Sequence, residues 1–382
     1  MYYLNTASHV PVKAGNDDLI RNAISKMYNP SDDGEYAEDA RSIIANTKKE
    51  IIRSVSKSTN FNTAMNTYDV IFTSSGSAAN NLAVAQVDDV ITTPIEHSSI
   101  HDNPNVKQWI KLGSCGYVNL DDLRNKDFSL FDGISVHYVN NELGIIQPIK
   151  EIVDIAHEHN ILVHVDAVQA YGNIDIDIVD LDVDFMSLSG HKIGALSGIG
   201  CLIVRKSLIG IMKPLIYGEQ EHGLFGGTEN LIGIYSWQIA LRDFTVANAN
   251  NKKNFIAYFD SAMKENGISY VVNPFNKDYC NFYSMMDEGR YDNKTISFAF
   301  DGVNGESLKL ALEIYGVIVS NGSACNTGKD SYVLKAIDTC KSNVYNTIRI
   351  SLPNVECTEQ TKRDMENICE IIVKAVKRVR KM

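Results

Sequence analysis

Apolar residues recur along this chain in two alternating rhythms. Short unbroken runs, Val70-Ile-Phe-Thr73, Val90-Ile-Thr-Thr93, Gly133 to Val139, Ile161-Leu-Val-His-Val165, Phe185 to Ser189 and Gly200 to Val204, predict buried strands. Between them the apolar residues return every three or four positions. Asp18 to Tyr28, Glu35 to Val55, Ala78 to Ala85 and Ile149 to His159 therefore predict helices, the second with Ala37, Ala40, Ile43, Ile44 and Ile51 on its apolar face. Asn29-Pro-Ser-Asp-Asp-Gly34 separates the first two. Strands alternating with helices imply an α/β fold whose mostly parallel sheet is covered on both faces. Past Ala249 the texture changes to an α+β unit. Its strands fall near Tyr270 and over Thr295 to Phe300, Val317 to Val319 and Thr347 to Ser351, and its helices over Ser307 to Ile314 and Glu359 to Arg380. The short strand Met1-Tyr-Tyr-Leu4 is expected to join it. The expected division is a large domain over residues 15–248 and a smaller one from residues 1–14 and 249–382.

Ligands of such sheets bind at the carboxyl ends of the strands. Ser77, His97, Asn141, Asp166 and Lys192 each follow a predicted strand end, so five polar side chains gather at one edge. Ser74-Ser-Gly-Ser77 leads from a strand into a helix, where free backbone N–H groups and the positive end of the dipole suit an anion. Met186-Ser-Leu-Ser-Gly-His-Lys192 ends in a lysine beside hydroxyls and an imidazole. Taken alone, that lysine is a solvated surface residue. In this company it can form a Schiff base with an aldehyde cofactor while its neighbours hold an anion.

Composition narrows the classes. The chain is 44% hydrophobic and 22% charged, ordinary for a globular protein with a sizeable core. A net charge of −11 without a dense basic cluster argues against direct nucleic-acid binding. The basic end, Lys374 to Lys381, carries Val376 and Val379 and reads as the solvated face of a final helix. No apolar run reaches the roughly 18–20 residues of a membrane span. The first residues lack the pattern of a secretory signal, and the seven scattered cysteines form no disulfide framework, so a reducing cytoplasm is expected. His157 and His159 are two apart on a helix and point away from each other, and no metal site is expected.

The chemistry rests on a few side chains. Asp166 ends a strongly apolar strand, and opposite a pyridinium nitrogen it would be paired and keep that nitrogen protonated. Gln169 can donate to a ring phenolate, and His97 can stack on the ring and act as acid or base. Cys325 alone among the cysteines sits in a Ser/Gly-rich loop, an accessible setting for a reactive thiol. Cys115, in a Gly/Ser turn, is its nearest rival and is given no role, while Cys201 and Cys369 read as core. Arg349 can clamp a carboxylate with two parallel hydrogen bonds.

Asn140-Asn-Glu-Leu-Gly144, His164-Val-Asp-Ala-Val-Gln169, Ser187-Leu-Ser-Gly-His-Lys192, Gly198-Ile-Gly200, Gly227-Thr-Glu-Asn230 and Ser323-Ala-Cys325, with Tyr3-Leu4 and Pro11 before them, resemble the group I cysteine desulfurases. These are fold-type-I pyridoxal-phosphate (PLP) enzymes of aminotransferase class V, and the likeness runs in order over nearly the whole chain. It implies a mostly parallel seven-stranded sheet in the large domain and a small α+β domain carrying the cysteine loop and Arg349. It implies that Lys192 carries PLP as a Schiff base, Asp166 pairs with the ring nitrogen, Gln169 with the phenolate oxygen, and His97 stacks over the ring. Gly76, Ser77, Ser189 and His191 would cradle the phosphate, with Thr228 reaching it from the other subunit of a homodimer. Asn141 and Arg349 would hold the carboxylate of L-cysteine. Cys325 would take the sulfur as a persulfide, release L-alanine and pass the sulfur to an acceptor protein.

The chain departs from the family's pattern in places. Asn5 follows Tyr3-Leu4 where the family has Asp, Phe225 stands where an arginine is usual, and the stretch from Cys325 to Ser331 is short. Such departures fit a specialised sulfur pathway, such as DNA phosphorothioation or a dedicated thiolation system. Two other readings share Lys192 and Asp166: a class V aminotransferase or lyase that does not need Cys325, and a non-catalytic PLP-bound scaffold for sulfur-transfer partners.

Overall fold

The computed structural model describes residues 1–274, 286, 288–321, 330–337 and 344–381. Twelve strands lie within them: β1 Tyr2–Tyr3, β2 Tyr68–Thr73, β3 Val90–Thr92, β4 Val106–Trp109, β5 Gly133–His137, β6 Leu162–Asp166, β7 Phe185–Ser189, β8 Gly200–Arg205, β9 Tyr270–Asn273, β10 Thr295–Phe300, β11 Val317–Ile318 and β12 Thr347–Ser351. Seven form one sheet in the order β2-β8-β7-β6-β5-β3-β4. Its pairs are parallel except those of β8, which runs antiparallel to both β7 and β2. This is the mostly parallel α/β sheet that the alternation of elements implies.

Each strand serves both faces because its side chains alternate. On β8, Cys201 and Ile203 enter a core with Trp237, Ile51 and Val70, while Leu202 and Val204 meet Ala79, Leu82 and Ala83 on the other face. Glu35–Ser54 and Leu231–Arg242 are among the helices covering the first face, and Gly76–Val84 covers the second. No helix among the described residues is long and apolar enough to cross a membrane.

A second, three-stranded antiparallel sheet, β12-β10-β9, packs against helices Ala249–Glu265, Gly305–Ile314 and Glu359–Val379. Ile296, Phe298 and Phe300 of β10 and Ile348 and Ile350 of β12 point into that core. Alternation therefore turns Arg349, between the two isoleucines, to the opposite side. The N-terminal segment ties the two sheets. β1 pairs in parallel with β11, Asn5 bridges to Ser351, and Val10 N–H donates to the His191 carbonyl at 3.1 Å.

Two elements carry no clear apolar signal, the helix Phe61–Thr67 and the edge strand β4. Cys201 and Cys369 are buried, as their elements imply. Cys115 corrects the reading of it as a thiol without a role, because it is disulfide-bonded.

Candidate active site

The carboxyl ends of β5, β6 and β7 open onto one cavity of about 260 Å³. Register sets the floor: His137 of β5 lies beside Asp166 of β6, which lies beside Ser187 of β7. Gly76, Ser77, His97, Asn141, Asp166, Gln169, Ser189, His191, Lys192 and Arg349 all line the cavity. Ten of the twelve site residues expected from sequence thus converge. Thr228 does not join them: it is exposed and lines a separate cleft with Ser74 and Gly227. Cys325 lies outside the described residues.

One wall is built for an anion. β2 ends at Thr73, and Ser75 caps the helix Gly76–Val84 by accepting the Ala78 N–H at 3.1 Å. The first N–H groups of that helix are left to face a ligand. A Cβ at Gly76 would stand 2.8 Å from Val168 Cγ2 and 3.3 Å from Ser189 Cβ, so glycine lets the backbone approach. Ser189 Oγ and His191 Nδ1 meet at 2.9 Å beside it. Burial first, then the Lys192 charge and His9, push the His191 imidazole down to about 4, so it is neutral at neutral pH.

The same helix, Gly76–Val84, helps to hold a carboxylate. Asp166 is buried, and its oxygens accept from Val168 N–H at 3.0 Å and from Asn80 Nδ2 at 2.7 Å. Asn80 also donates to Ser99 Oγ at 2.9 Å, and Ser99 N–H donates to His97 Nδ1 at 3.2 Å. Asn80 Oδ1 is buried with no hydrogen-bond partner. Beneath Asp166, His164 bridges the Ser135 and Ser187 hydroxyls at 2.8 Å each. Burial holds its imidazole down to about 4 against the pull of Asp166.

Lys192 ends the short turn after β7, and its Nζ donates to the Ala7 carbonyl and, at 3.0 Å, to the Ser8 carbonyl. Gln169 Nε2 donates to the same Ala7 carbonyl at 2.8 Å. Arg349 is fully buried, with Nη1 2.8 Å from the Asn141 carbonyl and Nη2 2.8 Å from Asn5 Oδ1. Ser331 Oγ donates to buried Glu142 at 2.6 Å, and burial raises that carboxyl above its ordinary range. Ser320 pairs with Arg349 through the backbone, so Ser320 and Ser331 are both anchored beside residues of this site.

Sequence reasoning missed Asn80, His137 and Glu96. Glu96 is wholly buried and accepts from the Thr93 hydroxyl at 2.5 Å and the His137 N–H at 2.7 Å. His137 Nδ1 lies 2.9 Å from the same carboxylate but out of line for an N–H bond. The signal was present: each is a polar residue at a position where the pattern calls for burial.

The donors fit PLP. N–H groups, hydroxyls and a neutral imidazole suit its phosphate, Asp166 its ring nitrogen, and Lys192 its aldehyde. A lysine sharing one cavity with an anion cradle and a buried carboxylate, at the carboxyl edge of a mostly parallel sheet, defines a PLP enzyme. The chain belongs to the aminotransferase class-V family, whose model matches residues 24–363. It is 29% identical over 338 residues to cysteine desulfurase IscS of Clostridium botulinum, covering 82% of this chain and 80% of that protein. It is 28% identical over 400 residues to cysteine desulfurase IscS of Dictyoglomus turgidum, covering 99% and 95%. Among solved structures, a NifS-like protein from Rickettsia africae ESF-5 superposes over the whole of both chains with a TM-score of 0.80 at 23% identity, a likeness of fold. SspA in complex with cysteine superposes with a TM-score of 0.75 at 26% identity, covering 93% of this chain and 100% of that one.

Proposed function

We propose that this protein is a cysteine desulfurase, releasing L-alanine from L-cysteine and leaving the sulfur as a persulfide on Cys325. The observation that carries the reading is the convergence of Lys192, Asp166, His97 and Arg349 on one cavity. The names of its relatives and a related structure holding cysteine support the substrate. Bound PLP supplies an electron sink next to the substrate Cα.

The chain's own groups do the rest. Gly76, Ser77, Ser189 and His191 would hold the phosphate, Asp166 the ring nitrogen and Gln169 the phenolate oxygen, with His97 against the ring. Arg349 and Asn141 fix the substrate carboxylate, and Lys192 moves the Cα proton. The Cys325 thiolate attacks the substrate sulfur. The C–S bond breaks, its electron pair stays with the carbon, and a proton there completes alanine. The anchoring of Ser320 and Ser331 supports bringing Cys325 to this cavity. We further propose a homodimer in which exposed Thr228 serves the second subunit's phosphate. The persulfide passes to an acceptor protein of a specialised pathway such as DNA phosphorothioation, in keeping with Asn5 and Phe225.

Incubating purified protein with L-cysteine and a reductant tests the reading: sulfide and alanine should form in equal amounts. Turnover only with an added keto acid would instead mark an aminotransferase, and no turnover with cofactor bound a scaffold.

A further inference from the structure

Lys192 also walls a second cavity, of about 230 Å³, between the N-terminal segment and the two sheets. Tyr3, Thr6, Val10, Phe244, Lys294 and Asn354 enclose it. Lys294 stands just before β10 and is only 6% exposed. Its backbone N–H reaches Asp292, but its ammonium has no hydrogen bond or ion pair among the described residues. The reason is competition. Asp292 is already engaged by Lys252 Nζ at 3.3 Å and by the Thr295 hydroxyl and N–H at 2.7 and 2.8 Å. An ammonium on a largely buried side chain without an acceptor is costly. Burial accordingly lowers Lys294 to about 8, with Asp292 only partly opposing, so it stays largely charged at neutral pH.

The other polar groups on the wall define what is missing. The Tyr3 hydroxyl has no hydrogen-bond partner among the described residues either. The Thr6 hydroxyl is spent on the Ser351 and Leu352 carbonyls, and Asn354 Nδ2 on the Thr245 carbonyl at 2.7 Å. At the rim, exposed Lys13 donates to the Asp243 carbonyl at 3.2 Å, and the Asp243 carboxylate faces solvent. Inside, the Lys294 ammonium and the Tyr3 hydroxyl can both donate, and one of them is cationic, while Asn354 Oδ1 is an acceptor without a hydrogen bond among the described residues. A small ligand rich in acceptors and negative charge completes the two donors.

We propose that this second cavity binds a small oxyanion, a carboxylate or an inorganic oxyanion, on the Lys294 ammonium and the Tyr3 hydroxyl. The site is separate from the Arg349 clamp and does not depend on the desulfurase reading. Because Lys192 forms part of its wall, a bound anion places negative charge next to the lysine of the first cavity.

The test titrates cofactor-loaded protein at neutral pH with sodium sulfate and, separately, sodium acetate, at constant ionic strength. Affinity is read by calorimetry and the melting temperature recorded alongside. Wild type is compared with Lys294→Met and Lys294→Arg. We expect saturable binding of at least one anion, weakened about tenfold or more by Lys294→Met and largely kept by Lys294→Arg. Sulfate alone would identify an inorganic oxyanion, acetate alone a carboxylate, and both a site tolerant of shape. Acetate held at Arg349 is indifferent to Lys294→Met, so the difference isolates the new site. Lys294→Met replaces an unpaired charge with an apolar chain of similar length. It should fold and melt higher than wild type without anion, yet gain nothing when anion is added. Should it fail to fold, Lys294→Gln serves. Equal affinity in wild type and the neutral variant, or saturable binding of neither anion, overturns the proposal.

Discussion

Lys192 and Cys325 divide the chemistry at the residue scale. Protein purified with its cofactor should be yellow, and borohydride should fix the cofactor to Lys192 and abolish that absorbance. Lys192→Ala should lose the reducible absorbance, and peptide mapping that finds the label on another lysine would refute the assignment. Cys325→Ser should keep the cofactor and its spectral response to L-cysteine but lose alanine formation, because a hydroxyl cannot replace the thiolate nucleophile. Full sulfide production by that variant would leave the lyase reading standing. Cys115→Ser removes a disulfide rather than a thiol and should stay active in reductant. Asp166 and Arg349 were legible because each ends or interrupts an apolar run that fixes its direction, and Lys192 because it follows a strand end in the small polar turn Ser189-Gly-His191. Asn80, His137 and Lys294 were not, although all three are buried. The pattern can mark such a position as buried, but it does not say which neighbours a buried polar side chain will meet.

At the scale of elements, the cradle depends on how closely β8 approaches the start of the helix Gly76–Val84. A Cβ at Gly200 would lie 2.3 Å from the Ser75 carbonyl carbon and 2.6 Å from the Gly76 nitrogen, both backbone. Gly200→Ala should therefore cost about 2 kcal/mol or more in denaturant melts and weaken cofactor retention together with stability. Gly76→Ala meets chiefly side chains, Val168 and Ser189. It should lower cofactor affinity while leaving the melt of the cofactor-free protein closer to wild type. A larger loss of stability from Gly76→Ala than from Gly200→Ala would contradict this account of the close approach. Strand ends of the central sheet were readable to within two residues because buried strands are dense in apolar residues. Strand β4 escaped notice for the converse reason: in Val106-Lys-Gln-Trp109 three of four residues are exposed at the sheet edge. The helix Phe61–Thr67 buries only Ala64, too little to show a period.

Across the whole molecule, His164, His191 and Lys294 shape stability against pH. His164 is held near 4 in the fold against 6.5 when free. The unfolded chain binds the extra proton, so its contribution, about 3 kcal/mol, is complete above pH 6.5 and lost as pH falls towards 4. His191 acts in the same direction, and phosphate bound beside it should blunt that part of the acid loss. Lys294 governs the alkaline side, with Asp292, Lys252, Lys192, Tyr3 and the rim pair Lys13 and Asp243 around it. Its folded value near 8 against 10.5 means that stability should climb by about 3 kcal/mol between those pH values. Chemical melts of wild type against Lys294→Met should show that climb only in the wild type. A solution mass twice the 42.4 kDa of the chain is expected for the dimer, and a monomer that holds its cofactor fully would count against Thr228 acting across subunits.

The first ten residues make an unusual tether. Two backbone carbonyls, of Ala7 and Ser8, hold the Lys192 ammonium, and Asn5 holds Arg349. Once Lys192 is bonded to an aldehyde it can no longer donate to both carbonyls as an ammonium. Cofactor loading should then loosen the chain between the tether and exposed Lys13, so that trypsin cuts there faster in the loaded protein than in the empty one.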